Sequence, residues 1–177
     1  MGLGLGLFQA DLDLVEVKEA FDFFQQALGT IPAPMAMYST SPGLFSKQLQ
    51  SMNYFMKHPT LGFALLSSIR YVVSKAQDYH YCTGFNKTFL EKQGLTEEQI
   101  QAMAQAPESA PLDDKDRALL AFVAKAAGSP DAVSQADMDG LHALGWSDRD
   151  VFDAMAHAAN IISAGVLMKT FKLDAVC

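Results

Sequence analysis

The stretch Asp78-Tyr79-His80-Tyr81-Cys82-Thr83-Gly84-Phe85-Asn86 puts an acid, an imidazole, two phenols and a thiol side by side. If Asp78 caps a helix here, Cys82 lies in or just beyond its first turn, where unpaired backbone N–H groups and the positive dipole end favour a thiolate. Cys82 is thus a candidate nucleophile; the alternative is a small buried hydrophobe, the commoner fate of a lone cysteine. His80, two residues before Cys82, falls roughly 200° away around a helix axis, so it serves as a base only in a non-helical turn. Asp78 shares the face of Cys82, but a carboxylate beside a thiol raises its pKa. A thiolate would be favoured by a cation from the preceding helix, Arg70 or Lys75. On that helix Ser67, Tyr71 and Ser74 form a polar stripe, which either faces the same pocket or fills a helix contact with satisfied hydroxyls.

The elements that must hold these residues read as helices throughout. Apolar residues recur at three and four, and no sustained period-2 alternation bounded by hairpin turns is present. A first helix is expected from Leu14 to Leu28, stopped by Gly29, followed by an extended connection forced by Pro32 and Pro34. Pro42 opens a second helix carrying Leu44, Phe45, Leu49, Met52, Phe55 and Met56, and Pro59 closes it. Thr60 to Ala76, apolar on most sides, reads as a helix buried in the middle of a bundle. A shorter helix between Asp78 and Gly94 holds Cys82, and another starts at Thr96. After the linker-like stretch 106–112 come helices over 113–127, 134–144 and 147–171. The segments Gly94-Leu95-Thr96 to Gln99 and Gly145-Trp146-Ser147 to Asp150 share a helix-ending glycine followed by an N-cap, the first a full capping box and the second a weaker version. They mark either an internal repeat or convergent helix-turn-helix chemistry.

Composition bounds the rest. The 177 residues suit a single domain, and half of them are hydrophobic. A net charge of −7, with no dense run of Lys or Arg, excludes nucleic acid as a natural partner. Two cysteines, Cys82 and Cys177, cannot build a disulfide framework and fit a reducing compartment. The glycine-alternating start of the chain does not read as a secretion signal. The apolar stretch 61–73 is too short for the ~18–20 residues that span a bilayer. The expectation is a soluble cytoplasmic protein without a membrane partner.

The Tyr81-Cys82 pair, the small residues after it, and the run Lys87 to Ile100 with its Gly-Leu-Thr-Glu-Glu resemble the carboxymuconolactone decarboxylase and alkylhydroperoxidase D (AhpD-like) superfamily. The resemblance continues through 113–127, 132–151 and the closing helix with His157, Asn160 and Leu173, so residues 42–173 form the core and 1–41 an extension with one helix. It implies an all-α, AhpD-like bundle of about seven or eight helices, assembled as a homotrimer or homohexamer. For the alkylhydroperoxidase branch it also implies peroxide reduction through cysteine chemistry.

That branch pairs Cys-x-x-Cys with a His four residues after the second Cys and a Glu fifteen residues before it. Position by position, the peroxide-attacking cysteine matches Cys82. The first cysteine is replaced by Tyr79, the histidine by Asn86 and the glutamate by Ser67. The resemblance therefore implies a thiol-dependent peroxidase that needs an external reductant, with no cofactor; Cys177 could resolve the sulfur only if it reached the site. The alternative is a non-catalytic oligomeric scaffold or a binder of a small apolar ligand. The decarboxylase activity, which needs no thiol, is not supported by any recognisable polar set.

No His-x-x-x-His, Glu-x-x-His or Cys-x-x-Cys spacing accompanies His58, His80, His142 and His157, so no metal site is expected. Asp153, His157 and Asn160 fall on one stripe of the last helix, either as a polar patch in a pocket or subunit contact or as partners of helix ends. Nine methionines and twelve phenylalanines allow an apolar ligand pocket or an oligomer interface, although the spacing of Met52, Phe55 and Met56 reads as core first.

Overall fold

The computed structural model describes residues 15–174, of which nine stretches are α-helix and none is strand. They are α1 (Val15–Leu28), α2 (Ala33–Tyr38), α3 (Pro42–Met56), α4 (Phe63–Ala76), α5 (His80–Lys92), α6 (Glu97–Gln105), α7 (Asp114–Gly128), α8 (Gln135–Ala143) and α9 (Asp148–Thr170). Cys177 and the glycine-alternating start lie outside the described residues.

The all-α expectation is met, and the reason lies in α4. Leu65, Leu66, Ile69, Tyr71, Val72 and Val73 are all buried. A helix apolar on nearly every side must be enclosed, and α5, α7 and α9 pack around it. Leu119, Leu120 and Val123 of α7 and Ala154 and Ala158 of α9 complete this core. Fully burying each large side chain contributes about 1.5–3 kcal/mol. A second cluster, Val17, Phe24, Met35 and Phe45, fastens α1 and α2 to α3.

Three expectations need correction. The connection after α1 is not extended throughout: 33–38 is a short helix, because Pro32 sits at its N-cap and Pro34 within its first turn, where a missing N–H costs nothing. Among the described residues before position 42 there are thus two helices, not one. The helix expected from Thr60 begins at Phe63, its N-cap being Gly62. Asp78 does not cap α5 either; it adopts a left-handed φ of 56° and Tyr79 is the N-cap, with no side-chain cap bond. Asp174 supplies the cap instead, its carboxylate accepting from the N–H groups of His80 and Tyr81 at 3.2 Å each.

The two similar segments fold alike. Gly94 and Gly145 adopt φ of 90° and 82°. The following residue donates back to the helix in each, Leu95 to Leu90 and Trp146 to Leu141. The box at Ser147 is complete, and a third stands at Ser134 and Asp137, outside the paired segments. The capping box therefore recurs at α6, α8 and α9 and is not confined to the paired segments.

α9 is 23 residues long and contains an 18-residue window of mean hydropathy 1.4, the length and composition of a bilayer span. It sits within the bundle, with Asp150, Asp153 and His157 all buried. Asp153 accepts from the Tyr54 hydroxyl at 2.7 Å and lies 3.1 Å from His58 Nε2, while the Thr60 hydroxyl donates to Asp150. Its two buried carboxylates are thus spent on α3 and on the turn that leads into α4.

Candidate functional site

Arg70 is the one charged residue in the interior turns of α4, and its environment is unusual for a cation. Nε donates to Asn86 Oδ1 at 2.8 Å, Nη2 donates to Ser67 Oγ at 3.0 Å, and Nη1 lies 3.3 Å from His157 Nε2. All three partners are neutral. Among the described residues no carboxylate forms an ion pair with it. Burial lowers its pKa to about 10, which still leaves the guanidinium charged at neutral pH.

His157 is held in the neutral form. Burial first, and then the Arg70 charge, pull its pKa down to about 3, against a bond to the Leu66 backbone. That bond occupies one ring nitrogen as donor to the Leu66 carbonyl. Nε2 is left as an acceptor facing Arg70. The ring of Phe55 packs on it at 4.4 Å between centroids.

Cys82 occupies the third position of α5, in the first turn, and is buried. Asn86 links it to Arg70: while Oδ1 accepts from the guanidinium, Nδ2 donates to the Cys82 carbonyl at 2.8 Å. Arg70, Cys82, Asn86 and His157 line the same cavity, about 470 Å³ in volume. Gln48, Ser51 and Asn160 also reach it, and most of the remaining wall is apolar. Tyr81 stacks on Phe85, Phe85 meets Phe89 edge to face, and Phe89 meets Phe63, over which Arg70 lies 5.7 Å from the centroid. The opposite wall comes from α1 to α3, including Phe24, Met35, Met52 and Phe55. Tyr81 ties the two walls together, its hydroxyl accepting from the Ala33 N–H at 2.9 Å. Methionines that helical spacing assigns to core therefore line a cavity, and Met56 is 65% exposed.

Of the residues singled out from sequence, Cys82, Asn86 and Ser67 come together, joined through Arg70. Two do not. Tyr79 is buried against α9, where a Cβ at Gly165 would clash with its ring atoms. Its hydroxyl is pushed further from ionisation by burial, and then by the charges of Cys82 and Asp174. His80 points outward, 71% exposed, 3.6 Å from the Asp78 carboxylate, and does not line the cavity. Lys75 is exposed, and Ser74 returns its hydroxyl to the Arg70 carbonyl at 2.6 Å. The residues that sequence reasoning could not place are Arg70 and His157. The available signal was a lone arginine inside an otherwise apolar helix. Among the described residues no group of three or more His, Cys, Asp or Glu could hold a metal ion.

No family model matches the sequence, and no curated protein matches it. Solved structures do match the fold. An uncharacterized peroxidase-related protein from Silicibacter sp. TM1040 aligns with a TM-score of 0.81 at 20% identity, over 97% of this chain and 88% of its own. An alkylhydroperoxidase AhpD core, an uncharacterized peroxidase-related protein from Ralstonia eutropha JMP134, aligns with a TM-score of 0.77 at 19% identity, covering 96% and 87%. The debrominase Bmp8, as a cysteine-to-alanine variant in complex with 2,3,4-tribromopyrrole, aligns with a TM-score of 0.72 at 18% identity, covering 92% and 86%.

Proposed function

From the AhpD-like fold that this chain carries, we propose a thiol-dependent oxidoreductase in which Cys82 reduces a small apolar peroxide. The observation that supports it is the part-buried guanidinium of Arg70, which shares the cavity with Cys82 and has only neutral partners among the described residues. A cation in a low-dielectric site favours the thiolate, the nucleophilic form.

The thiolate sulfur attacks the distal oxygen of the hydroperoxide. The O–O bond breaks, the sulfur is oxidised to a sulfenic acid, and the leaving oxygen takes a proton and departs as the alcohol. Arg70 stabilises charge on that oxygen as it develops. Nothing else in the set is a ready acid, since His157 is neutral and Asn86 and Ser67 do not titrate. The proton comes from water or the incoming hydroperoxide. An external thiol then attacks the sulfenic sulfur and releases water, and a second thiol frees Cys82 while leaving as a disulfide. Tyr79 has no sulfur to contribute, so the resolving thiol comes from outside or, if it reached the site, from Cys177.

A second reading differs in substrate alone. The aromatic wall suits a planar ring, and a debrominase of this fold is known with a brominated pyrrole bound. There, two external thiols would be oxidised to a disulfide as an aryl bromide becomes the arene, bromide and a proton.

The experiment is peroxide consumption with a dithiol reductant, for the wild type and Cys82→Ser, with bromide release from a bromopyrrole as the parallel assay. Consumption that disappears with Cys82→Ser supports the peroxidase. Bromide release that depends on Cys82, without peroxide consumption, favours the second reading. No Cys82-dependent turnover in either assay removes both.

A further inference from the structure

The cavity has one charged residue among its described lining residues, Arg70, and no acidic one. A guanidinium partly withdrawn from water without a counter-ion is left incompletely compensated, so its charge is open to whatever enters the cavity. Its neutral partners orient it: Asn86 holds Nε, Ser67 holds Nη2 and His157 faces Nη1. Nη1 and Nη2 retain donor capacity, and the side chain has surface on the cavity. Apart from Cys82 and the neutral Gln48, Ser51 and Asn160, the rest of the wall is mostly aromatic or aliphatic, with Phe63 under the cation and Phe55 packed on His157.

We infer that this cavity is a binding site for an apolar organic monoanion, a ring or short chain bearing one carboxylate or phenolate, whose charge pairs with Arg70 while its body fills the aromatic part. A volume of about 470 Å³ lies within the range of small-molecule pockets. The net charge of −7 opposes the approach of any anion, so selectivity comes from the local guanidinium and not from the field of the whole protein. The inference shares its cavity with the thiol chemistry proposed above and names the ligand class for it, but it does not require the sulfur to react.

The probes are 1-naphthoate and its neutral counterpart 1-naphthamide, with affinities measured by calorimetry on the full chain. The wild type binds 1-naphthoate at least tenfold more tightly than 1-naphthamide. Arg70→Met, which keeps the stem and removes the charge, brings the two to within about twofold. Cys82→Ser retains the preference, which separates this site from the redox reaction: a protein inert to peroxide but selective for naphthoate loses only the thiol reading. Equal affinity of the wild type for both probes, no binding of either at millimolar concentration, or a preference that survives Arg70→Met overturns the inference. Should Arg70→Met fail to fold by circular dichroism, the wild-type ratio and its loss in Arg70→Gln decide.

Discussion

Asn86 holds Arg70 and Cys82 with opposite ends of one amide: Oδ1 accepts from the guanidinium Nε and Nδ2 donates to the Cys82 carbonyl, each at 2.8 Å. The same amide thereby fixes the cation and the first turn of the helix that carries the thiol. Asn86→Asp keeps the shape and adds a negative charge next to Arg70, which cancels the field that favours the thiolate. Alkylation of Cys82 by iodoacetamide at pH 7 is expected to slow about tenfold, the equivalent of one pKa unit. An unchanged rate would separate Arg70 from the reactivity of the thiol.

His157 gives the site a pH limit. Its pKa in the folded protein, about 3, lies below the ordinary 6.5, so the unfolded chain binds the proton more readily. The stability it contributes is complete above pH 6.5 and is lost as pH falls from there toward 3, by up to about 1.4 kcal/mol per pH unit. His157→Gln can still accept from Arg70 and donate to the Leu66 carbonyl without titrating. Urea unfolding at intervals between pH 7 and 4 is expected to show a shallower fall for this variant; parallel curves would mean that His157 is not buried as a neutral acceptor.

Gly165 and Tyr79 test how tightly α9 meets the start of α5. Because a methyl at position 165 would clash with the Tyr79 ring atoms, Gly165→Ala must displace that ring and the N-cap it belongs to. Overpacking of this kind costs about 1–3 kcal/mol. Denaturant unfolding is expected to show that loss, with a changed rate of Cys82 alkylation in the native state. A variant as stable as wild type would show that the ring has room to move.

Phe152 and Val166 stand 72% and 53% exposed on α9. Fourteen residues apart, they lie on nearly one face of the helix, which we propose as a contact between copies in a homotrimer or homohexamer. Light scattering is expected to give a mass several times the 19.2 kDa of one chain, and Phe152→Glu to reduce it. A monomeric wild type would contradict this.

The fold was readable because α4 is apolar on nearly every side and the helix ends carry their own signals, Gly94 with Thr96 and Gly145 with Ser147. Pro32 and Pro34 misled because proline's bar to helix applies to the interior and not to the first turn. The site was legible along one helix but not between helices. Cys82, Asn86 and Ser67 could be matched to positions, yet what joins them is Arg70, and a contact across 16 residues leaves no periodic trace. His157 shows the same limit at 87 residues from Arg70. Met52 and Phe55 have the spacing of core residues because the wall of an apolar cavity and a packed core place the same demand on a helix face.

The central claim is that Arg70 makes Cys82 a reactive thiol. It is tested most directly by the pH profile of Cys82 alkylation in the wild type and in Arg70→Met, with Cys177→Ser in both backgrounds so that one thiol is followed. A wild-type midpoint below the ordinary cysteine value of about 8.5 and an upward displacement in Arg70→Met are expected. A wild-type midpoint at or above that value, unmoved by the loss of the guanidinium, would contradict it.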